Sequence, residues 1–489
     1  MFFCTLGFLT CCKIAIFDFF YRLIMYKSKL LEIFSVLSKS EQNRLKKFVH
    51  SPYHNKHTEV HRLLDYLMST KSHRIKNAFE QVFPKAPYCS QKIRNTMSYL
   101  QKLIDKFLVY EALEAEDALR NRALLSVYRT KKLEKCFKYS LKYGQNLLNK
   151  SEYKDTEYYY LEYQLQQEQF LFAEEKNRLE AKNVQEVLDS FDLYYMTNKL
   201  KYCVTALTHQ NIFRTTYELR IVDPILSQIE KEGWLEFPSI AVYYYSYKAM
   251  TDFDNTAAFF QLKATFLEHS HLFRTDELKD LYIIAISFCI KHLNLGREEF
   301  TVEIFDLYKL GLINGVFVED GELSRFTYKN IVTIGLKYGD FDWVRQFISD
   351  YAPYLNATHR ESYTNYNLAK LYYMIGDYNK SMKMFLSLGN TDRELVMGAK
   401  VSLLKIYYEL GEYDALESLL DSFRAYIKRN KEVSDYQKQS YLNLIRYLQK
   451  VQNHNFYDKK VQQKLLEELK AEPQLPERQW IINQIEKIA

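Results

Sequence analysis

The sequence has 489 residues, of which 47% are hydrophobic and 26% charged, with 67 Lys and Arg against 61 Asp and Glu. This composition excludes an intrinsically disordered chain, and the length exceeds what one hydrophobic core usually supports. With only 13 glycines and 8 prolines, the chain has too few turn residues for a β-sandwich or an α/β fold. We therefore predict an all-α protein whose helices are joined by short turns.

Residues 1–26 form an apolar amino-terminal extension, which carries no charge before Lys13. It could pass for a targeting segment, but no basic residue precedes the apolar run, and Lys13, Asp18 and Arg22 interrupt it short of the ~20 residues that span a bilayer. A chain starting at Met25 would open directly into an amphipathic helix. We expect a mis-assigned start before Met25, no membrane span and a cytoplasmic protein.

Residues 27–110 form a basic helical module, in which Lys and Arg outnumber Asp and Glu by more than two to one. Segments 37–49 and 89–108 are predicted amphipathic helices, each with a serine near its start that can cap it. Six basic residues of these helices form a candidate phosphate-facing surface: Arg44, Lys46, Lys47, Lys92, Arg94 and Lys102. The alternative is a solvated cap for the rest of the chain, which we prefer because no recognition-helix motif is present.

A histidine pair in this module has a spacing that can chelate a metal, since HTEVH (57–61) places His57 and His61 one helical turn apart. Zinc proteases carry H-E-x-x-H, whereas Glu59 comes one position later and points about 100° away. Pro52 prevents one helix from including His50 as well. We predict surface histidines, no metal and no cofactor.

Seven scattered cysteines without a CxxC pair are typical of small buried apolar residues in a reducing compartment. The chain contains no glycine-rich phosphate loop, no nucleophile elbow and no dinucleotide fingerprint. We therefore predict that the protein is not an enzyme.

Segment 111–270 is predicted to be an array of long helical hairpins, because it has almost no helix-breaking residues and includes long helical stretches such as 154–176 and 183–196. Helices are also predicted at 242–250 and 283–290, each followed by a turn.

A repeated turn marks segment 271–451. It reads Gly-Asp-Phe at 339–341, Gly-Asp-Tyr at 376–378 and Gly-Glu-Tyr at 411–413, so the glycines lie 37 and 35 residues apart. Before the second glycine, apolar residues recur at i, i+3, i+4 and i+7, which predicts one face of a helix, and a second apolar stripe follows the turn. Each copy is thus predicted to be a helical hairpin.

These copies, within 328–450, resemble the tetratricopeptide repeat, a helix-turn-helix unit of about 34 residues. They depart from it where its second helix carries a small residue, because Val344 and Leu416 stand there in two copies and Ser381 in the third. The resemblance implies a superhelical array of antiparallel hairpins, an α-solenoid, whose first helices line a concave groove. Its implied inward-facing residues are Tyr366, Lys370, Tyr373, Val401, Lys405 and Tyr408.

Lys370 and Lys405 occupy equivalent positions in successive copies. Two ammonium groups flanked by tyrosines would suit a carboxylate or an acidic peptide, although both lysines could equally keep an exposed face soluble. Residues 452–489 are predicted to add two capping helices, 458–470 and 476–488. We predict a non-enzymatic scaffold or adaptor that binds a protein or peptide, the alternative being a nucleic-acid-associated regulator that uses segment 27–110.

Overall fold

The computed structural model describes residues 28–70, 74–176, 182–213, 215–388, 392–430, 433–453 and 459–488. The extension 1–26, with the proposed start at Met25, lies outside them. Within these ranges the protein forms 23 α-helices, three short 3-10 turns and one two-stranded ladder, which confirms the all-α prediction. No described helix has the length and apolar character needed to cross a bilayer.

The chain divides into two compact units, and the first contains residues up to 152 together with 156–194. Its helices are α1 (Lys29–Val36), α2 (Lys39–His50), α3 (Thr58–Ser69), α4 (Ile75–Val82), α5 (Ser90–Ala115), α6 (Asp117–Thr130), α7 (Glu134–Lys150), α8 (Thr156–Lys176) and the start of α9 (Val184–Phe213). The long helices predicted from the lack of breakers are present, and α9 extends well past its predicted end.

Helices α1 to α5 share one hydrophobic core, in which Leu45, Leu63 and Ile104 are completely buried. Ser38 caps α2 through a capping box with Glu41, as a serine near the start of this helix predicts. The equivalent prediction for α5 is wrong, because Cys89 occupies the N-cap position and no side chain bonds there. Helices α6 to α8 contact one another around a smaller cluster that includes Phe137.

The second unit contains residues 153–155 and those from 195 onward. Its helices after α9 are α10 (Val222–Glu232), α11 (Pro238–Thr251), α12 (Thr256–Glu268), α13 (Thr275–Asn294), α14 (Phe300–Ile313), α15 (Arg325–Tyr338), α16 (Phe341–Tyr351), α17 (Ala357–Met374), α18 (Tyr378–Ser387), α19 (Arg393–Leu410), α20 (Tyr413–Arg429), α21 (Asp435–Asn453), α22 (Lys459–Ala471) and α23 (Arg478–Ile488). Strands β1 (Val318–Glu319) and β2 (Glu322–Leu323) pair antiparallel between α14 and α15. The 3-10 turns are Trp234–Glu236, Ser270–Leu272 and Ala352–Tyr354.

Consecutive helices of this unit contact each other in pairs, α11 with α12, α13 with α14, α15 with α16, α17 with α18 and α19 with α20. The first helices of neighbouring pairs also touch, α11 with α13, α15 with α17 and α17 with α19. We call α11, α13, α15, α17 and α19 the first helices below.

The repeated glycine turns have one geometry. Gly339, Gly376 and Gly411 have φ of 95°, 80° and 72°, a left-handed conformation that glycine adopts without a steric penalty and that commonly ends helices. The acidic residue that follows each glycine is the N-cap of the next helix, and the aromatic residue is its first position. The repeated tripeptide is therefore a helix stop followed by a helix start.

The position that departs from the tetratricopeptide pattern lies at the contact between paired helices. Val344, Ser381 and Leu416 are all completely buried. The Ser381 hydroxyl donates a hydrogen bond to the Ala369 carbonyl on the partner helix at 2.8 Å. A β-carbon added to Gly335 would lie 2.5 Å from Val344, so in the first copy the small residue stands on the first helix instead.

Helices α19 to α23 share one core, and a residue of each helix is completely buried there: Leu404, Phe423, Ile445, Leu469 and Ile485. The two predicted carboxyl-terminal helices are present as α22 and α23. The last helix is thus part of the hydrophobic core of this end of the unit.

Candidate functional site

The six predicted groove residues lie on α17 and α19, two first helices that touch. Tyr366 and Val401 are buried, with only 5% and 7% of their surface exposed. The Tyr366 hydroxyl lies against the α-carbon of Gly398 on α19, where a β-carbon would clash with it. These two groove positions therefore hold the helices together and offer little surface to a partner.

Lys405 contacts the chain's own carboxyl-terminal segment. Its Nζ lies 2.8 Å from Oε2 of Glu477, which directly precedes α23. The same ammonium group lies 5.0 Å from the ring centroid of Tyr373 and 5.5 Å from that of Trp480. The Tyr408 ring meets the Trp480 ring edge to face at 5.5 Å. At α19, the predicted groove is covered by the residues around the start of α23.

Glu409 is the polar centre of this contact. Its Oε1 accepts hydrogen bonds from the Tyr373 hydroxyl at 2.7 Å and from Trp480 Nε1 at 2.6 Å, and its Oε2 accepts one from the Tyr378 hydroxyl at 2.5 Å. The hydrogen bond to the Glu409 carboxylate raises the pKa of Tyr378 to about 12. Burial, followed by the same carboxylate, raises the pKa of Tyr373.

Lys370 is half-buried on α17, with its Nζ 5.7 Å from the Tyr366 ring centroid. Burial lowers the pKa of this lysine, and the negative charge of Glu477 partly opposes the shift. On the neighbouring first helix α15, Lys329 pairs with Glu394 of α19. Lys329 and Lys405 thus pair within the protein, and Lys370 also interacts with Glu477.

Sequence reasoning missed Glu409 on α19 and the two residues that cover the groove, Glu477 and Trp480. Glu477 lies 72 residues after Lys405, and local periodicity carries no information about a contact over that distance.

The predicted basic surface is only partly assembled. Arg44 pairs with Glu111 at 2.5 Å and Lys46 with Asp65 at 2.7 Å, and Lys92 lies over the Phe83 ring at 4.3 Å. All six side chains are exposed, Lys47, Arg94 and Lys102 included.

On α5, the two basic residues nearest the helix start do not share a face. Lys92 and Arg94 flank the completely buried Ile93, and a spacing of two residues separates side chains by about 200° around an α-helix. The structure therefore does not gather the six basic residues on one phosphate-facing surface.

The histidine pair does not have the helical geometry predicted for it. Helix α3 begins at Thr58, so His57 precedes it as the N-cap residue. His61 instead stacks on His50 of α2 with ring centroids 4.3 Å apart, and Asp65 lies 3.7 Å from His50. Within the described ranges, no group of three or more His, Cys, Asp or Glu side chains has an arrangement that could hold a metal ion.

Four of the seven cysteines lie in the described ranges, all with free thiols. Cys203 and Cys289 are buried as predicted, but the prediction is wrong for Cys89 and Cys136, which are exposed. Burial raises the pKa of the Cys203 thiol.

The second unit also contains a cleft of about 190 Å³ that the sequence analysis did not single out. One wall is a stripe of α9, formed by Lys201, Val204, Thr205, Thr208 and His209, and the other comes from α11 and α13. The wall residues of α9 recur at i, i+3, i+4, i+7 and i+8. That spacing was visible in the sequence, but it looks the same as an ordinary core-facing stripe.

A buried carboxylate lies beside this cleft. Glu277 is 4% exposed and accepts a hydrogen bond from the hydroxyl of Tyr243, a cleft residue on α11. Lys201 Nζ lies 3.4 Å from Glu277 Oε1. Burial raises the pKa of Glu277, and the positive charge of Lys201 opposes that shift. Nearby, the buried Asp155 pairs with Arg274 at 2.6 Å.

Comparison with protein-family models, with curated proteins and with solved structures gave no match for this chain.

Proposed function

We propose that this protein is a non-enzymatic scaffold, a tetratricopeptide-like α-solenoid that binds a peptide or protein partner along the face of its first helices. The observation that carries the proposal is the shared geometry of the three glycine turns. Each has a left-handed glycine followed by an acidic N-cap, and of the first helices that end at these turns, α17 touches both α15 and α19. A repeated unit that contacts its neighbours in this way favours an elongated array with an extended binding face.

One open stretch of this face lies on α11 and α13, at the cleft beside α9. The stretch on α19 is covered by the segment around Glu477 and Trp480, and α23 contributes Ile481 and Ile485 to the local core. A partner would therefore have to displace several buried side chains to reach Lys405, at a cost of about 1.5–3 kcal/mol for each. The cleft beside α9 needs no such displacement.

Binding of an acidic partner at Lys370 and Lys405 stays a prediction. Such a partner would compete with Glu477, which pairs with Lys405. The alternative function, a nucleic-acid-associated regulator acting through segment 27–110, also stays a prediction. Arg44 and Lys46 form solvent-exposed ion pairs within the protein, with which a phosphate would have to compete.

Site-specific photo-crosslinking tests the proposal. The photo-reactive residue p-benzoylphenylalanine is placed at Ile283, which is 40% exposed on the first helix α13, or at the matched control Phe260, which is 48% exposed on the second helix α12. After irradiation in cells, we expect a discrete adduct from position 283 and none of the same mass from position 260. Equal adducts from both positions, or an adduct from position 260 alone, would contradict binding on the first-helix face.

A further inference from the structure

We propose that the cleft between α9 and α13 binds an organic cation, a primary ammonium or guanidinium group carried on a short aliphatic stem. The charge would meet Asp280 on α13, and the stem would lie along Val204, Ile283 and Ile284. The site lies within the second unit and shares Ile283 with the proposed partner-binding face, but a test with small probes does not require that function.

The polar groups of the α9 wall are already satisfied. The Thr205 hydroxyl donates to the Lys201 carbonyl at 2.9 Å, and the Thr208 hydroxyl donates to the Val204 carbonyl at 3.0 Å. His209 Nδ1 lies 2.7 Å from the Tyr217 hydroxyl. A ligand therefore has no need to supply hydrogen bonds along this wall, which favours an apolar stem.

The opposite wall is apolar and partly open. Ile284 is 8% exposed and Ile283 is 40% exposed, on adjacent positions of α13. An exposed isoleucine at the edge of a cleft gains free energy when a hydrocarbon stem covers it, by about 25 cal/mol for each Å² of apolar surface buried.

The charges near the cleft leave one carboxylate in excess. Asp155, Glu277 and Asp280 all act on the Tyr243 hydroxyl, whereas the cations beside them are Arg274, paired with Asp155, and Lys201, paired with Glu277. Within the described ranges, Asp280 has no ion pair.

Asp280 lies beside the apolar walls of the cleft, so one ligand can place its charge at the carboxylate and its stem between the walls. It lines the cleft together with both isoleucines, and burial is the main cause that raises the pKa of its carboxyl group. The positive charges of Lys201 and Lys279 oppose this shift, but both ammonium groups form their ion pairs with other carboxylates, Glu277 and Glu319. Asp280 is exposed at the edge of the cleft, so a ligand cation would form a charge-assisted pair there that solvent screens in part.

Methyl NMR of the full chain tests this site, with Ile283 and Ile284 labelled at their δ1 methyl groups and assigned through Ile283→Val and Ile284→Val. The probes are n-pentylammonium and pentanoate, which share a stem length and differ in charge. We expect saturable shifts of both methyl signals with n-pentylammonium and none with pentanoate at the same concentrations. Equal shifts with pentanoate, or no saturable shift with the ammonium, would overturn the proposal.

Asp280→Asn removes the carboxylate and changes little in shape, and Asp276→Asn is the matched control, an exposed carboxylate one turn earlier on the same helix. We expect Asp280→Asn to weaken n-pentylammonium binding up to about fivefold and Asp276→Asn to change it less than twofold. Unchanged binding in Asp280→Asn would overturn the assignment of the charge to this residue, and the unshifted methyl spectrum of that variant checks that it is folded.

A second titration, with peptides, distinguishes a side chain of a bound partner from a free amine as the natural ligand. The peptide acetyl-Ala-Ala-Lys-Ala-Ala-amide carries the same ammonium group on a side chain, and its norleucine counterpart lacks only the charge. Tighter binding of the lysine peptide than of n-pentylammonium assigns the site to a side chain of a bound partner, and weaker binding assigns it to a free amine. Either result supports the site, whereas equal binding of the lysine and norleucine peptides would overturn it.

Discussion

Lys405 Nζ on α19 lies 2.8 Å from Glu477 Oε2, 72 residues later in the chain. The lysine side chain is 15% exposed and the glutamate side chain 38%, so solvent screens this ion pair only in part. The pair joins the residue that precedes α23 to the first helix α19. A residue predicted to bind a partner thus has an internal structural contact.

Replacing Lys405 with methionine removes this ion pair and retains most of the aliphatic stem. We expect the free energy of local opening of α23 to fall by about 1 kcal/mol. Hydrogen exchange of the α23 amides, at residues 478–488, measures this as an exchange rate about fivefold faster. Lys428→Met, at an exposed position of α20, is the control and should leave these rates unchanged. Equal exchange in Lys405→Met and the wild type would show that the ion pair does not hold the helix.

The contact between Tyr366 and Gly398 allows a second test. Gly398→Ala adds a methyl group that clashes with the Tyr366 hydroxyl, and we expect the free energy of unfolding to drop by about 1–3 kcal/mol, as overpacked cores do. Adding Tyr366→Phe removes the clashing oxygen and should restore part of the loss. Denaturant unfolding of the four variants of this double-mutant cycle gives the coupling. Additive effects would mean that the two positions do not touch.

The third repeated turn has a weaker cap than the other two. Asp340 Oδ1 accepts a hydrogen bond from the Trp343 amide at 3.2 Å, whereas the Glu412 side chain makes no cap bond. Glu412→Asp should therefore add a cap and raise the free energy of unfolding by about 0.5–1 kcal/mol. Asp340→Ala should lower it by about 1 kcal/mol, and Asp340→Asn, which keeps the cap, should change it little. Chemical denaturation measures all three, and no gain in Glu412→Asp would contradict the role assigned to the acidic position.

We expect a buried histidine, His292, to make the stability of the second unit depend on pH. His292 is completely buried between Phe253 and Phe300, with ring centroids 3.9 and 4.4 Å away. Its Nδ1 accepts a hydrogen bond from Arg297 at 3.0 Å. Burial first, and then the positive charge of Arg297, lowers the pKa of His292. The unfolded chain, with an imidazole pKa of about 6.5, therefore binds a proton before the folded protein does.

It follows that the contribution of His292 to stability is complete above pH ~6.5 and is lost as the pH falls through the lowered pKa of the folded state. Unfolding free energies measured from pH 8 down to pH 5 should fall less steeply in His292→Phe than in the wild type. The histidine in the other unit, His50, also has a pKa lowered mainly by burial, so His50→Asn serves as a separate comparison. Identical pH slopes in wild type and His292→Phe would contradict the burial argument.

Salt dependence tests the nucleic-acid alternative. Because Arg44 and Lys46 are paired and Lys92 and Arg94 point in different directions, we expect few simultaneous phosphate contacts. Fluorescence anisotropy with a DNA duplex should then give weak binding, and a plot of log K against log salt with a slope smaller in magnitude than about 3. A steeper slope that Arg94→Glu and Lys102→Glu reduce would favour the nucleic-acid function instead.

The sequence by itself determined the helices and the turns between them. Apolar residues at helical spacing and the scarcity of glycine and proline act within a few residues of each position, so they predict local structure directly. The left-handed conformation of Gly376 is of this kind, because the need for glycine after a helix is local. The two carboxyl-terminal helices were therefore predicted within two residues of their observed bounds, and the repeated turns lie at the predicted glycines, whereas α17 and α19 begin eight or nine residues before the predicted repeat copies.

Only the tertiary structure decided which surfaces are available. The inner faces of α17 and α19 have the same local pattern whether they hold a partner or the chain's own Glu477 and Trp480, and the spacing of the α9 stripe is the same for a core and for a cleft. Each distinction depends on contacts between residues far apart in sequence, which are set by helix packing. Local periodicity fixes the direction of a side chain on its own helix, but not what another helix places in front of it.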